Sequence, residues 1–232
     1  MIGRITELET MGSADGPGIR LVLFLSGCKL RCLYCHNPET WNISGFRREI
    51  TSEEVLKTYN KYKVYYGDKG GVTFSGGEPL MQSEFVLETI KLLKQNGIHT
   101  ALDTAGVGDN YDEILKLVDL VILDVKAVDE SEYKMITGRD MADFNKFLAQ
   151  CQQYGIKLWL RQVIVPGIND DEEHVLKLKA FASKLSNVER IELLPYHSMG
   201  KSKYKDLNIP YRLDTTEDMD KEKCKQLELL LK

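Results

Sequence analysis

The feature that most constrains this chain is an alternation. Short apolar runs at 20–26, 71–75, 99–103, 120–125, 157–165 and 190–194 are separated by longer segments with helical periodicity. A run that is apolar on nearly every residue suits a strand covered on both faces. Strands that alternate with helices pair in parallel through right-handed crossovers. The helical segments carry their own boundaries. Thr51, Ser52, Glu53 and Glu54 form a capping box that opens a helix running towards Tyr62. Segment 83–95 has apolar Phe85, Val86, Ile90 and Leu93, with Gly97 just past its end. Further helices are predicted over 111–118, 143–154, 171–185 and 215–231, the last capped by Thr215 with Asp218. Six such units fit an open doubly wound sheet or a barrel. The 232 residues fall short of the roughly 250 of a full eight-fold barrel. The predicted fold is therefore α/β, a partial (β/α)6 barrel of TIM type with parallel strands inside and helices outside, in one domain over 1–232.

In such sheets ligands bind beyond the carboxyl ends of the strands. Polar residues collect there. Cys28 follows the first run, Gly76-Gly77-Glu78-Pro79 follows the second, and Asp103-Thr104 ends the third. Asp124 and Lys126 end the fourth, Arg161 lies within the fifth, and His197 follows the sixth. Spacing alone assigns these residues to one shared site.

Cys28, Cys32 and Cys35 have the spacing C-x3-C-x2-C, with no fourth cysteine nearby. Three thiolates from one loop can hold a metal centre and leave one position open for a substrate or second cofactor. Zinc with His36 as fourth ligand is disfavoured, because structural zinc sites use ligand pairs set further apart and adjacent Cys35 and His36 suit one tetrahedral ion poorly. Cys151 and Cys224 stand alone in helical patterns. A thioredoxin-like pair, Cys32-x-x-Cys35, leaves Cys28 unexplained. A cubane iron–sulfur cluster with three cysteine ligands and one open iron is the sharper reading.

The triplet, with aromatic Tyr34 before its last cysteine, resembles the signature of the radical S-adenosylmethionine (SAM) superfamily, and Gly76-Gly77-Glu78-Pro79 resembles that family's second motif. The resemblance extends to the glycyl-radical-enzyme activases. Its further carriers are Asp15-Gly16-Pro17-Gly18-Ile19-Arg20, Cys35-His36-Asn37 with Thr40-Trp41, and Leu102-Asp103-Thr104. Leu123-Asp124-Val125-Lys126, Val165-Pro166-Gly167 and Leu193-Leu194-Pro195-Tyr196-His197 complete the set. Many activases carry a ferredoxin-like insert after the first motif. Segment 42–70 contains no cysteine, which favours the branch that serves pyruvate formate-lyase.

The resemblance implies a radical SAM type of barrel and a [4Fe-4S] cluster on Cys28, Cys32 and Cys35. It implies SAM bound by Tyr34, Cys35, His36, Gly76, Gly77, Glu78, Asp124, Val125, Lys126 and His197, with Arg161 and Asn37 as SAM contacts or structural partners. Glu78 would accept from the SAM ammonium, to which the two glycines give backbone access. Arg161 serves equally as an ion-pair partner. Asp103, Thr104 and Asp124 would line a monovalent cation site; the plainer reading is an Asp-Thr pair capping a loop. Asp15 would contact a glycine-loop peptide of the partner, or simply serve a tight turn. The implied activity is reductive cleavage of SAM, giving a 5′-deoxyadenosyl radical that abstracts a glycine Cα hydrogen. The implied partners are pyruvate formate-lyase and reduced flavodoxin or ferredoxin. The rivals are activation of another glycyl radical enzyme, small-molecule radical SAM chemistry, and, from another class, a non-catalytic zinc or iron–sulfur protein.

Composition limits the rest. A formal net charge of -4 gives no case for nucleic acid or an anionic membrane. Five cysteines with one tight cluster do not form a disulfide framework. No apolar stretch nears the roughly 20 residues of a membrane span, and the first residues lack a signal-peptide run. A cytoplasmic monomer is expected. Acidic residues 170–173 read as a helix start, and Lys201, Lys203 and Lys205 around Tyr204 as a solvated loop. The helical pattern still runs at Leu231 and Lys232, which is compatible with a truncated end.

Overall fold

All six predicted runs are strands in the computed structural model, which describes residues 1–231. They are β2 (Arg20–Leu25), β4 (Gly71–Gly76), β5 (Thr100–Thr104), β6 (Leu120–Asp124), β7 (Leu158–Ile164) and β8 (Val188–Pro195), each parallel to the next. Two further strands, β1 (Ile2–Gly12) and β3 (Arg48–Thr51), add antiparallel to β2, giving the order β3-β1-β2-β4-β5-β6-β7-β8. The sheet is not closed, so this is a partial barrel. β1 was not predicted because it is amphipathic: Arg4, Glu7 and Glu9 interrupt its apolar residues.

The helices are α1 (Ser52–Tyr66), α2 (Ser83–Gln95), α3 (Asp112–Leu115), α4 (Glu130–Thr137), α5 (Ala142–Tyr154), α6 (Glu172–Ala182), α7 (Lys201–Asp206) and α8 (Lys221–Leu229). The capping box forms: Glu54 N–H donates to Thr51 Oγ1 at 3.2 Å and Thr51 N–H to Glu54 Oε2 at 2.8 Å. α2 has the predicted bounds. The predicted helix over 215–231 is corrected. Asp220 is the cap, accepting from Glu222 and Lys223 N–H at 2.7 and 2.9 Å, because Met219 is buried with its N–H bonded to Tyr196 O. Asp218 instead accepts from Ser198 N–H at 2.7 Å. The predicted lysine loop at 201–205 is also corrected: it is α7, with Tyr204 buried and Lys203 bonded to Glu39 and Asn37 at 2.6 and 2.7 Å. The sequence pattern predicts neither α4 nor β3. Lys232, where the sequence pattern is still helical, lies outside the described residues. Among the described residues no helix is long and apolar enough to cross a membrane.

The period-2 alternation of the strands divides the core. Leu102, Val121, Leu123, Leu158 and Leu160 belong to the main apolar cluster. Their neighbours Ala101, Leu120, Ile122 and Trp159 form a separate small cluster on the opposite face. Asp103, Asp124 and Arg161 lie two residues beyond Ala101, Ile122 and Trp159, so alternation turns them to that same inner face. Segment 13–19 runs into the barrel at the strands' N-terminal end. Arg20, fully buried, donates to Thr73 Oγ1, Val72 O and Pro17 O at 2.6, 2.9 and 3.1 Å. Thr73 Oγ1 in turn donates to Asp15 O at 2.7 Å, and Arg161 donates to Ala14 O.

On the outer surface α4 meets α6 through Glu132 Oε1 and His174 Nδ1, 3.4 Å apart. Burial, then Asp129, pushes Glu132 up to about 7. An acid with a folded pKa above its unfolded value near 4.3 favours folding at acid pH, and that contribution is lost as pH rises through about 7. Glu132→Gln should therefore raise the melting temperature at pH 8 by about 2–4 °C, corresponding to on the order of 1 kcal/mol after discounting for solvent screening. The gain should vanish near pH 4. Scanning fluorimetry from pH 4 to 8 checks this, and superimposable profiles would refute it.

Candidate active site

The three cysteines share one cavity. It has a volume of about 230 Å³ and is lined by Cys28, Cys32, Cys35, Tyr34, His36, Asn37 and Trp41 from the cysteine loop, and by Ser75, Gly76, Gly77, Asp103, Thr104, Asp124, Lys126 and Arg161 from the strand ends. Leu30, Val163 and Leu194 add apolar wall.

The loop is held from three sides. Gly27 N–H donates to Thr40 O at 2.7 Å and Cys28 N–H to Trp41 O at 3.1 Å. Arg31 and Leu33 N–H donate to Thr137 and Ile136 O of α4, both at 2.9 Å. Tyr204 OH of α7 donates to Cys35 O at 3.0 Å. The Trp41 side chain lowers the Cys35 thiol against the effect of burial. None of the supports from α4, α7 or Trp41 was assigned from sequence; only Thr40-Trp41 carried a motif signal.

At Gly76, φ is +110° and an added Cβ would stand 2.3 Å from Leu25 N; at Gly77 it would stand 2.5 Å from Gly27 O. The two glycines thus let β4 turn against the cysteine loop, and their backbone faces the cavity.

Burial pushes Cys28 up to about 12 and Cys32 up to about 11, and also raises Cys35. Nearby positive charge comes from Lys126, which lowers Cys32 and Cys35. Burial opposes the Lys126 charge, but Asp124, Tyr34 and Cys32 outweigh it, so the lysine stays protonated. Its Nζ is 2.7 Å from Asp124 Oδ2 and 5.7 Å from the Tyr34 ring centre. Asp103 accepts from Ser75 Oγ at 2.8 Å; burial, then Asp124, raises it to about 7. Arg161 pairs with Glu192 at 2.7 Å.

Several of the expected site residues are engaged by other partners or lie off the cavity wall. The Glu78 carboxylate is 1% exposed and is absent from the cavity wall. Its Oε1 accepts from Thr104 Oγ1 and Leu80 N–H at 2.6 and 3.1 Å, and its Oε2 from Ala105 N–H at 3.0 Å. It joins the turns after β4 and β5. Thr104 Oγ1 is engaged there too, while Asp103, Thr104 and Asp124 all line the cavity. Val125, one residue past Asp124, falls on the opposite side of the strand and is buried, with its N–H bonded to Arg161 O at 2.8 Å. His197 lies outside the wall, stacked on His36 at 3.9 Å between ring centres, while His36 Nε2–H donates to His197 O at 2.8 Å. Asn37 Oδ1 accepts from Lys203. Asp15 approaches from below; burial raises its pKa against the pull of Arg161 and Arg20.

The residues fit a resident cluster and a polar ligand. Among the described residues no three His, Cys, Asp or Glu side chains group as ligands of one metal ion. A multi-iron cluster needs only that each thiolate reach its own iron from a common cavity. The Tyr34 hydroxyl, on the cavity wall, is buried without a hydrogen-bond partner among the described residues, as expected beside a site that supplies one.

The comparisons agree with this chemistry. The sequence profile described as the Radical SAM superfamily matches residues 22–178. A pyruvate formate-lyase-activating enzyme of Clostridium pasteurianum is 53% identical over 100% of this chain and 98% of its own. The chain belongs to the radical SAM superfamily, in the family of pyruvate formate-lyase-activating enzymes. A solved domain of a pyruvate-formate lyase-activating enzyme from Bacteroides vulgatus matches with a TM-score of 0.56 and 26% identity, over 70% of this chain and 92% of that one. A radical SAM methyltransferase from Sphaerobacter thermophilus shares the fold, with a TM-score of 0.63 and 16% identity over 97% of this chain and 65% of that one. Membership of the radical SAM family implies a [4Fe-4S] cluster and SAM as cofactors.

Proposed function

We propose that this chain is a cytoplasmic activase that installs the glycyl radical of pyruvate formate-lyase, its single core domain serving a cluster, SAM and a peptide. The observation that carries the reading is the convergence of three thiols, a glycine-built backbone surface and the Lys126–Asp124 pair on one cavity. When bound, the cluster and SAM supply a one-electron cleavage of the sulfonium that yields methionine and a 5′-deoxyadenosyl radical able to take a hydrogen atom from a glycine Cα.

The chain's residues bind, orient and exclude water. Cys28, Cys32 and Cys35 hold the cluster. Gly76 and Gly77 present backbone to the SAM ammonium, and Lys126 serves its carboxylate or ribose. Tyr34 and His36 flank the adenine, with His197 fixing the His36 ring. Asp124 holds the Lys126 ammonium in place. Burial and the neighbouring Asp124 raise Asp103, which favours its neutral form beside that carboxylate. Arg161 and Asp15 meet the peptide from beneath, where segment 13–19 enters the barrel. No general base is required, because a hydrogen atom moves rather than a proton. Leu30, Val163 and Leu194 supply the apolar part of the cavity wall. Reduced flavodoxin or ferredoxin supplies the electron.

The test is anaerobic reconstitution with iron and sulfide, reduction by photoreduced deazaflavin, and addition of SAM with a glycine-loop peptide deuterated at Cα. The expected results are a SAM-dependent change in the cluster's paramagnetic resonance and deuterium in the 5′-deoxyadenosine formed. A cluster signal indifferent to SAM, with no 5′-deoxyadenosine, would overturn the reading.

A further inference from the structure

We infer that the outer, basic face of the cysteine loop is the docking surface for an acidic protein that carries single electrons. The inference rests on the function proposed above, which consumes one electron for each SAM cleaved. Within 28–35 Arg31 is the exposed residue; its neighbours are buried or half-buried. The loop's outward carbonyls are each met by a guanidinium. Arg31 Nη1 donates to Cys28 O and Leu30 O at 2.8 and 2.7 Å, Arg139 Nε donates to Lys29 O at 3.0 Å, and Arg212 donates to Arg31 O. A guanidinium has five N–H donors, more than these bonds use.

Lys29, Arg31, Lys134 and Arg139 line a groove of about 710 Å³ against the loop. Lys29 is paired with Asp109 at 2.9 Å. Among the described residues Arg31, Lys134, Arg139 and Arg212 have no carboxylate partner. Two acids, Asp140 and Asp143, also line the groove, and Asp140 accepts from Ala142 N–H at 3.1 Å. The balance is positive, on a chain whose formal net charge is -4.

The other side of the loop faces the cavity with Asp103 and Asp124, and SAM and the glycine must occupy that side. An electron carrier is therefore left the outer face, where Arg31 adjoins Cys32 in sequence and its guanidinium holds the Cys28 carbonyl. Complementary charge steers such a partner and fixes its orientation. The step balances simply: the carrier is oxidised by one electron, the cluster is reduced by one, and no bond is made or broken.

The probe is reduced flavodoxin, an acidic flavin protein, mixed with the reconstituted chain in a stopped-flow instrument at several salt concentrations. Lys134→Glu is the decisive variant, because the Lys134 side chain makes no hydrogen bond or ion pair among the described residues. Its second-order rate of cluster reduction should fall about tenfold at low salt, with a shallower salt dependence. Arg139→Glu should do the same if its loop survives the lost bond to Lys29. Reduction by photoreduced deazaflavin, and the SAM cleavage that follows, should match wild type in Lys134→Glu. A flavodoxin rate within twofold of wild type, with an unchanged salt slope, overturns the inference. So does a defect confined to saturation by pyruvate formate-lyase, which would assign the face to that partner. If deazaflavin-reduced wild type cleaves no SAM, the proposed function fails and this inference fails with it.

Discussion

Cys32→Ala is expected to fold and to assemble no complete cluster. Removing a small buried side chain costs about 1–2 kcal/mol, against a typical total stability of about 5–15 kcal/mol. The loop's shape does not depend on the thiol. Its backbone is anchored through Arg31 and Leu33 to α4, through Cys28 to Trp41, and through Tyr204 to Cys35 O. The variant thus separates folding from ligation. Two thiols remain on the cavity, one short of the three that the cluster takes from this chain. Iron and acid-labile sulfide per chain should fall far below wild type, and 5′-deoxyadenosine should drop to background. Cys151→Ala is the matched control. Cys151 is fully buried on α5 and away from the cavity, so its loss should cost stability while leaving the cluster content intact. A full cluster in Cys32→Ala, or a lost one in Cys151→Ala, would show the ligand assignment to be wrong.

The barrel was legible because its parallel strands, buried on both faces, write themselves as apolar runs. β1 was not, since a strand at the outer part of the sheet alternates charged and apolar residues. α4 is not legible because its eight residues give little periodicity. The site was legible as far as two rules reach. Chemistry-bearing residues gather at strand ends, and alternate residues share a face. Cys28, Gly76, Asp103, Asp124 and Lys126 meet in one cavity on those grounds. The second rule also predicts that Val125 turns away from Asp124. What no local pattern encodes is the third dimension of support. Tyr204 reaches Cys35 across 169 residues, and Arg161 reaches Ala14 across 147. Nor does a motif say where its side chain points. Glu78 follows two cavity-lining glycines, yet its carboxylate points into the body of the fold.

That orientation makes Glu78→Ala a large stability change. The carboxylate accepts from three donors in a site that is 1% exposed. Alanine would leave the Leu80 and Ala105 N–H groups and the Thr104 hydroxyl without a partner, and an unsatisfied buried donor costs about 1–3 kcal/mol. Some relaxation is available, so the expected loss is about 3–5 kcal/mol, a drop of about 10 °C in melting temperature for a chain of this size. Glu78→Gln sharpens the reading. Its amide oxygen can replace Oε1 for Thr104 and Leu80, but its NH2 then confronts the Ala105 N–H as donor against donor. About half of the loss should remain. Urea unfolding of the cluster-free chain measures both variants without any contribution from cofactor. The alternative, in which the Glu78 carboxylate binds the SAM ammonium, predicts the reverse pattern. Glutamine would then leave the unfolding midpoint unchanged and weaken SAM binding to the reconstituted protein by an order of magnitude or more, as loss of a charged hydrogen bond worth about 1.5–3 kcal/mol requires. A preserved midpoint with lost SAM affinity would therefore overturn the structural role, whereas a lowered midpoint in both variants supports it. The ammonium would then be served by the backbone of Gly76 and Gly77, the part of the motif that faces the cavity.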